Sequence, residues 1–332
     1  MAGKRIQWID IAKGLGILLV IYGHALGGIM NSHDQLATGV LLKPYNIIYG
    51  FHMPLFFFLS GIFAAHWVKR NVKLAMKQKV ISLVFPYFFW TVITGSIMAV
   101  AQRVTNSGLG VKDILLSPIA PFSEYWFLYV LFIVFLTFYF GERLIGNKAL
   151  FIISLVFFLI RPMIFRYWIF DAFSLNFFFF MIGSLVLQHK NIQNFLTFSR
   201  VKLIVSMCLF VMINIGYLKV ISSGVYWQSS YAKFLTISIG ILMTIYLAQL
   251  FEKISILNRT LSWLGQASMA IYVMHLVPIA GARIIALKFL GVTDVVGLSF
   301  IISGIALVVC IIGYYVFEKF RIGRLSLGQG LN

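Results

Sequence analysis

Acidic side chains are what this chain has least of. Nine Asp+Glu stand among 332 residues against 27 Lys+Arg, and charged residues of both signs make up only 11%. A soluble globular chain carries about 25% charged and roughly 45–50% apolar residues. Here 61% are apolar and 17% aromatic, with a mean hydropathy of +0.96. No water-facing surface can be built from that composition, so the solvent is lipid. Long polar stretches are missing as well, which leaves no room for a second, soluble domain; one membrane domain over residues 1–332 is expected. Cysteine is nearly absent: Cys208 and Cys310 both fall inside apolar runs and cannot form a disulfide framework. Internal repeats, low-complexity segments and basic–aromatic nucleic-acid motifs are not found either. The net charge of +18 therefore reads as a membrane-orientation signal and not as a nucleic-acid surface.

What is present is a series of apolar runs, each about 17–25 residues long or somewhat shorter. They cover roughly 8–30, 45–68, 80–101, 125–140, 149–161, 173–188, 201–218, 234–251, 263–287 and 296–317. Lipid cannot satisfy free backbone N–H and C=O groups, so each run must be helical. The expected fold is an all-α, polytopic membrane helix bundle of about ten transmembrane helices. Lys4 and Arg5 ahead of the first run resemble a signal peptide, but Asp10 and Lys13 interrupt that run and it extends to about Ile29. It reads as a retained first span.

The basic residues choose an orientation. With the N-terminus inside, eighteen Lys+Arg fall in inner segments. The outer segments hold nine: Lys43, Arg103, Lys112, Arg161, Arg166, Lys219, Lys233, Arg283 and Lys288. The excess places both termini in the cytoplasm. On this topology the segment 102–123, with Asn106, Gly108, Gly110, Pro118 and Pro121, is the longest outer loop.

An ionisable group in lipid costs about 2.5–3.5 kcal/mol at a helix centre, which makes each one a functional candidate. The first span carries Asp10, Lys13 and His24. At ~100° per residue, Lys13 and His24 differ by only about 20° in azimuth and stand about 16 Å apart along the axis. Asp10 lies about 40° from His24 on the same side. The bland reading of Asp10 and Lys13 is an i,i+3 pair at the inner interface. His24 is too deep for that. The second span opens on Tyr49-Gly50-Phe51-His52-Met53-Pro54, with Pro54 expected near the helix start and Ser60-Gly61 at a helix contact. His52, His275 and Glu124, the last at the head of the fourth span, all fall on the outer side with His24. Such a set suits general-base catalysis. A zinc site is the rival, but no spacing matches a zinc signature, and no metal is expected. The densest cationic stretch runs from Lys69 through Lys73, Lys77 and Lys79. It serves either as a topology anchor on anionic lipid or as a site for a phosphorylated cytoplasmic donor.

Several of these segments occur in an order that resembles the acyltransferase-3 family of membrane-bound acyltransferases, especially its polysaccharide O-acetyltransferase and fucose-acetylase-like branch. They are Trp8-Ile9-Asp10-Ile11-Ala12-Lys13-Gly14 leading to His24, and Phe51-His52-Met53-Pro54-Leu55-Phe56-Phe57-Phe58-Leu59-Ser60-Gly61. The basic stretch into Pro86-Tyr87 follows, then Tyr125-Trp126-Phe127-Leu128, then Leu264-Gly265-Gln266-Ala267-Ser268 with Ile271-Tyr272 and His275.

The resemblance implies acetyl-CoA as cytoplasmic donor and a polysaccharide or lipid-linked sugar hydroxyl as acceptor, in the bacterial cell membrane. It maps His24, Asp10 and Lys13 to catalysis and Lys73, Lys77 and Lys79 to donor binding. His52, Glu124 and His275 fall to the acceptor side. Two departures are visible. Lysine at position 13 replaces the family's usual arginine, keeping the charge but not the bidentate fork. Where the family often has two arginines before Pro-Tyr, this chain has Lys77 and Lys79, with Ser82 after them. The competing function is a proton-coupled transporter or flippase of a lipid-linked sugar, which would show repeat symmetry and paired broken helices.

Overall fold

A computed structural model describes residues 6–32, 35–101, 110–164, 168–224 and 226–330, without the side chains of 35–38 and 226–228. Lys4, Arg5, Arg103, Asn106, Gly108 and Arg166, used above for orientation and the outer loop, lie outside the described residues. The elements are all helical: α1 Gln7–Met30, α2 Gln35–Ile62, α3 Ala64–Val68, α4 Val72–Lys79, α5 Phe85–Val100, α6 Val111–Leu116, α7 Trp126–Ile160 and α8 Trp168–Leu185. They continue with α9 Lys190–Leu196, α10 Arg200–Ser222, α11 Tyr226–Phe251, α12 Ser255–Gln266, α13 Ser268–Met274, α14 Leu276–Ile284, α15 Val295–Glu318 and α16 Arg321–Ser326. The protein is an all-α polytopic membrane bundle.

Among the described residues, eight helices are long and apolar enough to cross a bilayer, or nine when α13 and α14, bent by 47°, count as one span. The tenth expected span is inside α7. Gly146 there has φ 80° and ψ 163°, a conformation that only glycine adopts freely, so α7 is two limbs. The limbs lie together: a Cβ on Gly141 would fall 2.8 Å from Leu150 Cδ1. The connection between the fourth and fifth expected spans is thus a tight helical hairpin.

Three boundaries differ from the sequence expectation. Helix α2 starts at Gln35, so Pro54 stands deep in its interior and not near its start. The residue one turn back, whose carbonyl receives no N–H from the proline, is Gly50. The cationic stretch is itself helical as α4, and a wide π-type turn at Val80–Val84 carries it into α5. The ninth span does not run unbroken from 263. Residues 263–266 end α12, and the span begins at Ser268 and breaks at His275.

Two compact units share the chain. The first combines residues 1–16, 46–71 and 133–266. Its close crossings are built on glycine: Gly61 packs on the backbone of Phe180 and Gly183 on that of Phe58, drawing α2 and α8 together. Gly14 on Leu261 and Gly265 on Asp10 do the same for α1 and α12. In each case an added Cβ would collide with a carbonyl oxygen, which is why small residues occupy these contacts. Aromatic packing fills the rest, with Phe158 stacked on Phe178 at 5.0 Å and Phe234 against both. Arg143 donates to the carbonyls of Val68 and Arg70, satisfying the open end of α3.

The second unit combines residues 17–45, 72–132 and 267–332. Its helices are tied by hydrogen bonds from aromatic side chains. Trp90 Nε1 donates to Ser326 O at 2.9 Å and Tyr87 OH to Ser117 O at 2.7 Å. Arg283 donates to Gly28 O at 2.6 Å and Ser32 Oγ at 2.7 Å, placing a cation on the carbonyl end of α1. Asp294 caps α15 by accepting from the backbone N–H of Val296 and Gly297.

Candidate active site

The second unit gathers three of the residues singled out from the sequence. His24 sits in the last third of α1, Glu124 in the short turn Ser123–Tyr125 that leads into α7, and His275 at the break between α13 and α14. His24 Nε2 is 3.8 Å from Glu124 Oε2. The rings of His24 and His275 are 4.8 Å apart and inclined by 38°.

Local structure explains why the sequence holds them there. Ser123 has φ 44°, a left-handed conformation that a non-glycine residue adopts at a cost of about 1 kcal/mol or more. That strain turns the chain so that Glu124 precedes the helix instead of riding on it. Tyr272 OH donates to the Glu124 carbonyl, and Tyr125 OH donates to Val273 O at 2.8 Å. Thr94 Oγ1 lies 2.7 Å from Tyr125 OH, so α5, α7 and α13 are laced together immediately behind the acid. Both tyrosines belong to motifs noted above, yet neither was assigned a role from the sequence. Their signal was position, one and three residues from Glu124 and His275.

His275 is fully buried. Its Nδ1 is 2.5 Å from Tyr272 O, and a carbonyl only accepts, so Nδ1 carries the proton. In the neutral ring Nε2 then holds a lone pair, and among the described residues it has no hydrogen-bond partner. An orphaned acceptor inside a bundle is costly. Here it is an acceptor set beside a second imidazole, while Glu124, with its side chain 37% exposed, is the most exposed of the three. The arrangement can take a proton from a hydroxyl and hold the resulting imidazolium against a carboxylate.

The other candidates sit elsewhere. Asp10 is buried and Lys13 half-buried at the crossing of α1 with α12, in the first unit. Because α1 is continuous, they stay about 21 Å and 16 Å from His24 along its axis, too far for direct contact. His52 also belongs to the first unit, fully buried, with Nδ1 2.8 Å from Ile48 O and the Tyr49 ring edge-on at 4.9 Å. Lys73 and Lys77 are exposed on α4 and Lys79 is half-buried. Among the described residues no group of three or more His, Cys, Asp or Glu side chains is arranged to hold a metal ion.

An acid and two imidazoles thus lie side by side in a membrane protein, a set of groups that can exchange protons. Residues 6–315 match the profile of the family described as "Acyltransferase domain". The chain belongs to this acyltransferase-3 family of membrane-bound acyltransferases. Among curated proteins it is similar to the Nodulation protein NolL of Sinorhizobium fredii, 30% identical over 138 residues, 41% of this chain and 36% of that protein. It is similar also to the Nodulation protein NolL of Mesorhizobium japonicum, 31% identical over 130 residues, 38% of this chain and 33% of that protein. The match thus spans about a third of each relative. No solved structure is significantly similar.

Proposed function

We propose that the 332 residues act as one membrane O-acyltransferase domain, moving an acetyl group from acetyl-CoA to a sugar hydroxyl. The acceptor is a cell-surface or capsular/exopolysaccharide sugar, as polymer or lipid-linked precursor, and the membrane is the bacterial cytoplasmic membrane with both termini inside. The observation that carries this reading is the cluster of His24, His275 and Glu124, together with family membership.

In the step proposed, the acceptor oxygen attacks the thioester carbonyl as His24 takes its proton. The tetrahedral centre then collapses, the C–S bond breaks, and the imidazolium returns the proton to the departing CoA sulfur. Glu124 supports the imidazolium. The 3.8 Å separation becomes an ion pair once His24 holds the proton, and it can shorten to a hydrogen bond when substrate closes the site. His275, its tautomer fixed by Tyr272 O, holds the acceptor hydroxyl or relays the proton from His24. On the donor side, Lys73, Lys77 and Lys79 meet the CoA phosphates. Lys13 stands about 16 Å from His24 along α1, a distance an extended pantetheine arm spans, with Asp10 about 5 Å further on. His52 shapes the acceptor side.

The test is acetyl transfer by purified protein given radiolabelled acetyl-CoA and a panel of envelope glycans. His24→Ala should remove transfer while leaving the amount of folded protein unchanged. Undiminished acetylation by that variant ends the role of His24. Acceptor-dependent movement of a sugar without CoA release would replace the enzyme with a carrier.

A further inference from the structure

The first unit contains a second polar cluster, unrelated by chemistry to the imidazole site. At its centre is Arg161, in the tight turn that ends α7, only 2% exposed. Its Nη2 donates to Ser230 O at 2.8 Å, its Nε is 3.5 Å from Asp171 Oδ1, and its guanidinium lies 5.4 Å from the Phe158 ring centre. Lys233, half-buried on α11, is within electrostatic reach of both Arg161 and Asp171, and Tyr217 of α10 is within reach of Arg161. An Arg–Asp pair alone would be neutral and could be a staple. Among the described residues, Lys233 makes the group two cations against one carboxylate, a surplus that is costly between apolar helices and that an anion would offset.

The neighbours one turn away are unsatisfied. Ser174 follows Asp171 by three residues, Asn214 precedes Tyr217 by three and Thr236 follows Lys233 by three, so each shares a helix side with a member of the cluster. All three are buried, and Ser174 Oγ, Asn214 Oδ1 and Thr236 Oγ1 have no hydrogen-bond partner among the described residues. Asn214 Nδ2 donates to Phe210 O at 2.8 Å, which fixes the amide and leaves Oδ1 as the open acceptor. Thr236 and Tyr217 converge on Gly50, where a Cβ would fall 2.9 Å from Thr236 Cγ2 and 3.5 Å from Tyr217 Cε1.

We infer that these residues form a binding site for the anionic group of a sugar, a phosphate or a carboxylate. Arg161 and Lys233 supply the charge, and Ser174 and Thr236 supply hydroxyl donors to the oxyanion. Asn214 Oδ1 and Asp171 accept from sugar hydroxyls. An inorganic anion without a hydroxyl, such as sulfate, would leave Asn214 Oδ1 unmatched, and a neutral sugar would leave the surplus cation unmatched; an anionic sugar answers both. Assigning that sugar to the acceptor rests on the acyl-transfer reading above.

The test uses the full chain in nanodiscs of zwitterionic phosphatidylcholine, with binding read by titration calorimetry and thermal unfolding. The probes are glucuronate, glucose 1-phosphate and neutral glucose. At least one anionic sugar should bind and raise the unfolding temperature, and glucose should not. Lys233→Gln should weaken the anion about tenfold or more, the usual loss for a charge-assisted contact. Arg161→Gln should do at least as much; Lys233→Gln decides the matter if Arg161→Gln does not fold. Preference for the carboxylate or the phosphate probe tells which source of the oxyanion is used. His24→Ala should bind as the wild type does, so loss or survival of transfer in that variant judges the enzymatic reading separately. Equal binding by wild type and Lys233→Gln, or equal binding of glucose, would overturn the site. So would a Lys233-dependent stabilisation given only by phosphatidylglycerol added to the disc, which would make the ligand a lipid headgroup.

Discussion

The two polar clusters of this protein solve the same problem in opposite ways. Around His24, Glu124 and His275 the groups are few, the two imidazole rings are neighbours, and the hydrogen bonds behind them run to backbone carbonyls of α13 and of the turn before α7. Around Arg161, among the described residues, a guanidinium and an ammonium face one carboxylate, and the neighbouring hydroxyl and amide oxygens are orphaned. The first set is suited to moving a proton and the second to holding an anion. Buried polarity in a membrane bundle is therefore not one signal; its charge balance and its unsatisfied atoms separate chemistry from binding.

The comparison can be broken by substitution. The largest effect is expected at the imidazoles: His24→Ala should lower kcat about 10²–10⁴-fold, the usual worth of a positioned base, measured by acetyl transfer. His275→Phe should cause a similar loss, with only about 1 kcal/mol of stability lost, because it removes the orphaned nitrogen along with the Nδ1–H bond to Tyr272 O. A fall in stability equal to the fall in activity would make His275 a structural residue. Next comes Gly61→Leu, which pushes a side chain into the Phe180 backbone. It should cost on the order of 1–3 kcal/mol or more and reduce folded protein recovered from membranes. Glu124→Gln keeps the shape and removes the charge near His24. A drop of roughly tenfold in kcat with donor KM unchanged is expected, from loss of imidazolium support. The smallest effect belongs to Arg283→Met, which strips the cation from the carbonyl end of α1. About 1–2 kcal/mol of stability should go, read by thermal unfolding in detergent, with transfer intact at low temperature.

Much of the imidazole site was legible because ionisable residues are so scarce that each one inside an apolar run stands out. His24, Glu124 and His275 were selected on that ground and the fold brings them together. Asp10 and Lys13 share the helix side of His24, but helical azimuth says nothing of axial distance, and fourteen and eleven residues of unbroken helix separate them from it. Tyr125 and Tyr272 were passed over because tyrosine is common at membrane interfaces and its hydroxyl partner is set by tertiary contact. Arg161 and Lys233 were read only as charges counting toward orientation. Residues at span ends look like loop charges until folding turns them inward, and that turn is a property of three helices at once. The helices themselves were legible from apolar runs. Their ends were not, since Pro54 inside α2, the hairpin at Gly146 and the break at His275 depend on glycine conformation and packing more than on hydropathy.

The most direct test of the central claim is single-turnover acetyl transfer by the purified protein in a bilayer, with CoA release and sugar acetylation followed together. The account predicts CoA release that requires the acceptor, in equal amount to acetyl-sugar formed, and absent in His24→Ala. Acetylation that proceeds unchanged without the His24 imidazole would contradict it.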